Sequence, residues 1–555
     1  MKRPFGILLA GTLLAAFTLP KLPLYPLPAE APYVPLYAFY SILRMLAAYL
    51  LSLLFAVGVG YLAASSRRWE ALLLPVLDVL QSIPVLGFFP AAIYFFVALA
   101  NGRPIGVEIA SVFLIFTSMA WNMAFGVYES IKTIPHDYWE AVDSFGANPV
   151  LRFSRLTFPA VIPKLVYNSM LSWANAWFFL IACEIIAIGP INYELHGLGS
   201  FMMKSVQQGK IGAMTFGLMV LILIIVLLDL AVWRPFIVWS QKFRFEETAP
   251  SLGYERSWAL DTLRRMPWTR RTRAFFRRLW VRAFRRLTDS YRWISGLLPG
   301  AAARIVRTAS SYAVWGSLIL ALGWVGIYFT YLLVLGWPAE AHEIPLALFS
   351  SILRVTAAYV LSLAWTLPLV LWINDHPKSL RVLAPVVEVF ASTPAAAFFP
   401  ILVALFAQVR GGLNFAAVLL IMSGMQWYFL FILLGGVGTI PQDLRELSAS
   451  LGLPKRLYWR KVVLPAIFPS FITASITAWG AAWNAVFVAE YIVYRNHIYH
   501  VRGIGSPLSH AFYESANSQL IVLTLLALVG LIVLVNRLFW RRLYQQASVR
   551  YRMEY

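Results

Sequence analysis

The chain has 555 residues, 60% of them apolar and 13% charged, with a mean hydropathy of +0.70. Soluble domains carry about 25% charged residues, so the composition excludes an ordinary soluble enzyme and points to a polytopic membrane protein. The net charge of +21 does not imply nucleic acid, because inner-side loops of membrane chains carry an excess of Lys and Arg.

Taken in order, the apolar runs predict six spans in each half. Those of the first half are 5–20, 36–64, 72–100, 107–131, 161–188 and 212–238, each close to the roughly 20 residues a bilayer crossing needs. Those of the second are 311–335, 346–373, 382–408, 413–436, 468–493 and 517–539. The run Phe5 to Pro20 follows Lys2 and Arg3 like a signal peptide, but Pro20-Lys-Leu-Pro replaces a small-residue cleavage site, so it reads as a retained span. Pro84, Pro90, Pro394 and Pro400 should kink the third spans and free backbone groups that a cavity can use. Cys183 is the sole cysteine, which excludes an internal disulfide and a cysteine-based metal site.

The chain is a duplication. Ser41-Ile-Leu-Arg44 recurs as Ser351-Ile-Leu-Arg354, and Phe88-Phe-Pro90 as Phe398-Phe-Pro400, at an offset of 310. From residue 135 onward the offset is 306; it relates Trp173, Trp177 and Glu184 to Trp479, Trp483 and Glu490, and Gly197-Leu-Gly199 to Gly503-Ile-Gly505. The expected organisation is 1–240, first repeat; 241–310, linker; 311–555, second repeat. Six spans per repeat make the repeats parallel, related by an axis along the membrane normal. The fold class is therefore all-α, with about twelve transmembrane helices.

Basic residues cluster in alternate loops, including Arg67-Arg68, Arg152 to Arg155, Lys455-Arg456 and Arg541-Arg542. The positive-inside rule puts both termini in the cytoplasm. The linker 241–310 holds sixteen Lys/Arg against five Asp/Glu. Within it Phe276, Leu279, Trp280, Phe284 and Leu287 recur at helical spacing between arginines, which suits a helix lying on an anionic leaflet or a solvated basic connector.

Two polar islands stand out, both on the predicted cytoplasmic side. They are Thr133-Ile-Pro-His-Asp-Tyr-Trp-Glu140-Ala-Val-Asp-Ser-Phe-Gly146, with Pro159 thirteen residues on, and Thr439-Ile-Pro-Gln-Asp-Leu-Arg-Glu446-Leu-Ser-Ala-Ser-Leu-Gly452, with Pro465 thirteen residues on. Pro135 and Pro441 suit a first helical turn, Asp137 and Asp443 suit the positive helix N-terminus, and the glycines suit a C-terminal stop. Each island predicts a short helix of about eleven residues, roughly 16 Å long.

No P-loop, HExxH or GxSxG is present, so no catalytic constellation emerges. His497 and His500 are close in sequence without forming a credible metal set.

The pattern Glu–x5–Gly–x12–Pro, found twice, resembles the "EAA" loop of inner-membrane permeases of binding-protein-dependent ABC importers. Glu140-Ala141-Val142 lacks the second alanine and Glu446-Leu447-Ser448 lacks both. The Pro84…Phe88-Phe-Pro90 segment and the late Glu…Gly-Leu-Gly look like the nitrate/taurine/sulfonate branch, in its duplicated single-chain form. The resemblance implies a type I ABC importer-like permease in the inner membrane of a prokaryote. It implies that Pro135, Asp137, Glu140, Ala141, Gly146, Pro441, Asp443, Glu446 and Gly452 form two coupling helices. Two ATPase subunits, which bind the ATP and Mg²⁺, would receive them. A solute-binding protein would deliver a small anion such as nitrate, bicarbonate or a sulfonate. The chain itself would be neither an enzyme nor a cofactor carrier.

For the substrate path, Arg44 and Arg354 occupy equivalent intramembrane places and stand as an anion-attracting entrance or as arginines snorkelling to headgroups. Asn175 and Asn484 are polar positions in the fifth spans that can touch substrate, and Pro84 and Pro394 join them at the kinks. Asp78, Glu388, Glu184 and Glu490 read as interhelical hydrogen-bond or ion-pair partners. The Trp173/Trp177 and Trp479/Trp483 pairs read as packing. A secondary transporter with two parallel six-span repeats is the alternative class, with Asp78 and Glu388 as proton sites and no need for an ATPase.

Overall fold

The computed structural model describes residues 31–243 and 338–540, apart from positions within 83–88, 189–190, 377–404, 439–441, 495–496 and 516, together with isolated positions from 278 to 334 and after 541. The expected span 5–20, nearly all of the 241–310 linker, most of 311–335 and 382–408, and Pro394, Glu388 and Pro441 lie outside the described residues.

The first half runs α1 (Val34–Ser65), α2 (Arg67–Ser82), α3 (Phe89–Leu99), α4 (Pro104–Lys132), α5 (His136–Ser144), α6 (Pro149–Arg152), α7 (Phe158–Glu184), β1 (Ile185–Ile188), β2 (Ile191–Glu194), α8 (Leu198–Gln207), α9 (Ile211–Leu228) and α10 (Arg234–Ser240). The second half returns most of this order: α11 (Ile344–Asp375), α12 (Gly412–Gly438), α13 (Gln442–Ser450), α14 (Lys455–Tyr458), α15 (Leu464–Glu490), β3 (Tyr491–Tyr494), β4 (His497–His500), α16 (Gly505–Tyr513) and α17 (Ser518–Val535). α1 and α11 are each 32 residues and α7 and α15 each 27. Seven described helices are long and apolar enough to cross a membrane.

Two expected boundaries change. The span 72–100 is broken into α2 and α3, with buried Pro84 in the break, because proline removes a backbone donor and disfavours helix in the residue before it. The spans 161–188 and 468–493 end as helices at Glu184 and Glu490. Their last apolar residues open two antiparallel hairpins, pairing Ile185 with Glu194 and Tyr491 with His500. Short runs such as Ile185-Ile-Ala-Ile188 fit a strand or a buried helix equally well by period. The class is thus helical with two small hairpins.

The prolines thirteen residues beyond the island glycines have a visible effect. Pro159 and Pro465 lack the N–H that would continue the ladder, and a π-helical turn precedes each, at Phe153–Thr157 and Trp459–Val463. Such turns absorb the lost hydrogen bond. The shift of repeat offset from 310 to 306 also has a place. Gly106 sits against the Phe96 carbonyl and Gly412 against the Phe406 carbonyl, so the second connection into the fourth span is four residues shorter.

Both halves build the same aromatic cluster. Tyr49 meets Trp173 at 5.7 Å and Trp233 at 5.9 Å, and Trp173 meets Trp177 at 6.5 Å. Tyr359 meets Trp479 at 6.0 Å and Trp540 at 6.2 Å, and Trp479 meets Trp483 at 6.4 Å. The tryptophan pairs pack as their spacing suggests, and Trp173 and Trp177 also line a cavity between the halves. The halves interlock through reciprocal contacts: α2 lies on α17, α16 on β1, α8 on β3, and Phe89 touches Phe512 edge to face.

Small residues set the spacing of α1 against α4, as expected where lipid is as apolar as leucine and close approach supplies the attraction. A Cβ on Gly60 would lie 2.7 Å from Val127 and 2.8 Å from the Ala124 carbonyl, whereas Gly58 meets nothing within 4 Å. Gly60→Val is therefore expected to destabilise the bundle by about 1–3 kcal/mol and Gly58→Val to leave it near neutral. Thermal unfolding of the two variants in nanodiscs checks this; equal midpoints would contradict the close packing.

Candidate functional site: a duplicated charge cluster, a central cavity and two short helices

The last residue of α7, Glu184, is fully buried. One carboxylate oxygen accepts from the Arg44 guanidinium at 2.8 Å and from the Ser41 hydroxyl; the other accepts from the Gly199 N–H at 2.6 Å. Arg44 also donates to the His196 carbonyl at 2.9 Å and, in a two-pronged contact, to Glu108 at 2.7 Å on each prong. Ser41 in turn accepts the Leu198 N–H at 3.0 Å. The second half repeats the pattern: Glu490 takes Arg354 at 2.7 Å, the Ser351 hydroxyl at 2.6 Å and the Gly505 N–H at 2.8 Å, and Ser351 accepts from Ile504 at 2.8 Å. A Cβ on Gly197 or Gly503 would overlap the carboxylate beside it. The late Glu…Gly-Leu-Gly is therefore the code for a buried carboxylate clasped by the start of the following helix.

This geometry sets aside both readings of Arg44 and Arg354. They neither open onto an entrance nor snorkel; they are 5% and 8% exposed and turn inward onto carboxylates. Glu184 and Glu490 are ion-pair partners, as expected. Asp78 is exposed on α2. The sequence reading missed Glu108 and its counterpart Asn414, which accepts from Arg354 at 3.0 and 2.7 Å. A lone carboxylate in the apolar run 107–131 was the available signal.

A cavity of about 490 Å³ lies between the halves, lined mainly by α4, α7 and α9 on one side and α12 and α15 on the other. Asn175 and Asn484 both line it; Arg44 and Arg354 do not. Asn484 has a second task. Its Oδ1 accepts the Val85 N–H at 2.9 Å, a donor released by the break at Pro84. The residue after Pro84 is thus held by Asn484 of the other half, and Val85 and Asn484 both line the cavity. Asn122, Asn168, Trp121 and Trp427 also line the cavity and were not anticipated. The carboxylate on the lining, Asp229, pairs with Arg234 at 2.7 Å.

The polar islands form α5 and α13, nine residues each. Pro135 is the N-cap of α5 rather than a residue of its first turn, and Asp137 lies in that turn. Both helices end alike. Gly146 has φ +60° and Gly452 φ +61°. The bonds Gly146 N to Asp143 O and Ala147 N to Val142 O recur as Gly452 N to Ala449 O and Leu453 N to Ser448 O. This is the Schellman ending, whose left-handed residue favours glycine. Glu140, Ala141, Asp443 and Glu446 are exposed, and Glu140 contacts His136 at 3.0 Å. Phe145 and Leu451, one residue before the glycines, are 88% and 65% exposed. Nearby, Lys132 and Tyr128 donate to Glu70, and the Lys132 hydrogen bond, then that of Tyr128, holds the Glu70 carboxyl below its usual range.

A helical membrane bundle with a central cavity, repeated halves and two exposed short helices is the architecture of a transport permease. The model of the family described as binding-protein-dependent transport system inner membrane component matches residues 56–233 and again 367–547. The chain belongs to this family of ABC transporter permeases. It is similar to the bicarbonate transport system permease protein CmpB of Synechococcus elongatus, with 23% identity over 203 residues, 37% of this chain and 66% of that protein. It is also similar to the nitrate import permease protein NrtB of Leptolyngbya laminosa, with 28% identity over 170 residues, 31% of this chain and 56% of that protein. The matched stretches span less than two thirds of these relatives' lengths.

The charge clusters predict an inequality. Neutralising Glu184 leaves Arg44 with Glu108, whereas neutralising Glu490 leaves Arg354 with the uncharged Asn414. Removing one partner of a buried pair costs about 3–5 kcal/mol when the other charge is stranded. Glu490→Gln is therefore expected to lower the unfolding midpoint more than Glu184→Gln. The reverse order in calorimetry would remove Glu108 as a compensating charge.

Proposed function

We propose that this chain is the whole membrane pathway of an ATP-driven importer, with two parallel six-helix repeats and about twelve spans acting as a fused pseudo-dimer. Residues 1–240 and 311–555 are the two repeats, joined by the basic 241–310 connector. Two ATPase subunits, which hold ATP and Mg²⁺, dock beneath it on α5 and α13. A solute-binding protein delivers a small anion from the other side. The chain lies in a prokaryotic inner membrane with both termini in the cytoplasm and hydrolyses nothing itself.

The observation that carries this reading is the pair of exposed helices, placed equivalently in the two halves and ended by the same left-handed glycine turn. A loop with no partner has no need for two rigid copies. The names of the bicarbonate and nitrate permease relatives support the anion.

Coexpression with the partner ATPase is expected to yield two ATPase copies per chain. Gly146→Pro or Gly452→Pro demands φ near −65° where the chain holds +60° or +61°. Either substitution is expected to leave the ATPases bound while uncoupling hydrolysis from uptake in proteoliposomes. Unchanged coupling in both variants counts against the docking role, and uptake that persists without ATP but collapses with the proton gradient would sink the importer reading.

A further inference from the structure

We infer that the central cavity is built for a planar, ring-bearing organic monoanion rather than for a four-atom oxyanion. The inference rests on the importer reading above and narrows its cargo. Size comes first. A cavity of about 490 Å³ falls in the range of about 300–1,000 Å³ typical of pockets that enclose drug-sized molecules. A nitrate or bicarbonate ion would leave most of it to water, and few wall groups would touch the ion.

The wall chemistry comes second. Trp121 and Trp427 line the cavity from α4 and α12 at equivalent repeat positions, and Tyr428 joins them. Trp121 is held edge-on by Phe55 at 5.6 Å, and Trp427 by Trp365 at 6.2 Å. Aromatic walls supported in this way offer flat faces and edges to a ring. Between them lie amides from both halves. Asn122 donates to Ser172 at 3.3 Å, Asn484 uses its oxygen on Val85, and the Asn175 side chain makes no hydrogen bond within the described residues. The Nδ2 donors of Asn175 and Asn484 are thus left for a ligand carboxylate or similar group.

Charge comes third. The described lining has no Lys, Arg or His, and its one carboxylate, Asp229, is answered by Arg234. A dianion would find nothing to offset its dehydration, while a single charge at one edge of a ring meets the neutral amide donors.

The test is calorimetric titration of the full chain with its ATPases in nanodiscs. The probes are benzoate, acetate, nitrate, bicarbonate and the dianion phthalate at equal ionic strength. Benzoate is expected to bind saturably and at least about tenfold more tightly than the other four. Trp427→Ala and Asn484→Leu are each expected to weaken benzoate by about tenfold or more, and Trp427→Phe to keep most of the affinity. Nitrate or bicarbonate binding as tightly as benzoate overturns the inference. So does benzoate binding that neither substitution alters, or no saturable benzoate binding at all. In each of those cases bound ATPases and coupled hydrolysis would leave the importer reading standing. Loss of ATPase association with benzoate binding intact would sink that reading and spare the cavity.

Discussion

The structure hangs on a buried carboxylate at the end of one long helix clasped by a guanidinium from another. A charge in the interior costs several kcal/mol unless its partners are complete. Glu184 and Glu490 meet that demand with an arginine, a serine hydroxyl and a backbone N–H each. Those donors come from α1 or α11 and from the helix that comes after the hairpin. Satisfying one carboxylate therefore fixes three elements at once. It fixes the hairpin too, because the backbone carbonyls of Glu184 and Glu490 accept from Leu195 and Val501 as the hairpins close, each at 3.0 Å. Gly197 and Gly503 are required by this clasp, since any side chain there would displace the carboxylate.

The duplication keeps this frame and varies what it surrounds. Glu108 becomes Asn414, so the first cluster carries one more negative charge than the second. Asn175 aligns with Ala481, and Asn484 aligns with Phe178. The first half thus brings Asn122, Asn168 and Asn175 to the cavity and the second brings Asn484, with no two at matching positions. Two identical chains related by a twofold axis could not do this. A fused chain can mutate each half separately, and its cavity carries an unsymmetrical set of donors.

The long helices, the repeat and the two short helices were legible because each rests on local rules: apolar length, equal spacing, and proline and glycine at helix ends. Pro159 and Pro465 were visible as landmarks, though not as the cause of π-helical turns. The roles of Arg44 and Arg354 were not legible. Their partners lie 140 and 136 residues away, and an arginine in an apolar run looks the same whether it faces water, headgroups or a carboxylate. The meeting of the Pro84 break with Asn484 spans 399 residues between Val85 and its acceptor, and nothing local announces it. The hairpins failed for another reason: four apolar residues carry no period by which strand and helix can be told apart.

The two short helices are held to the bundle by different means, and this bears on how each would pass on a pull. α5 is tied to the chain on its C-terminal side: Arg152, at the end of α6, pairs with Asp143 and lies over the Trp139 ring at 5.8 Å. α13 is tied to the chain on its N-terminal side, because Arg445 donates to the Val437 carbonyl at the end of α12 at 2.7 Å. The segment after α13 is anchored separately, with Trp459 donating to Asp375 at 3.2 Å and Lys455 3.7 Å from the same carboxylate. A displacement of α5 would therefore reach the α6–α7 arm first, and α7 lines the cavity. A displacement of α13 is delivered first to α12, while α15 is steadied from α11. Equal pulls on α5 and α13 would thus reach the two cavity walls by different routes.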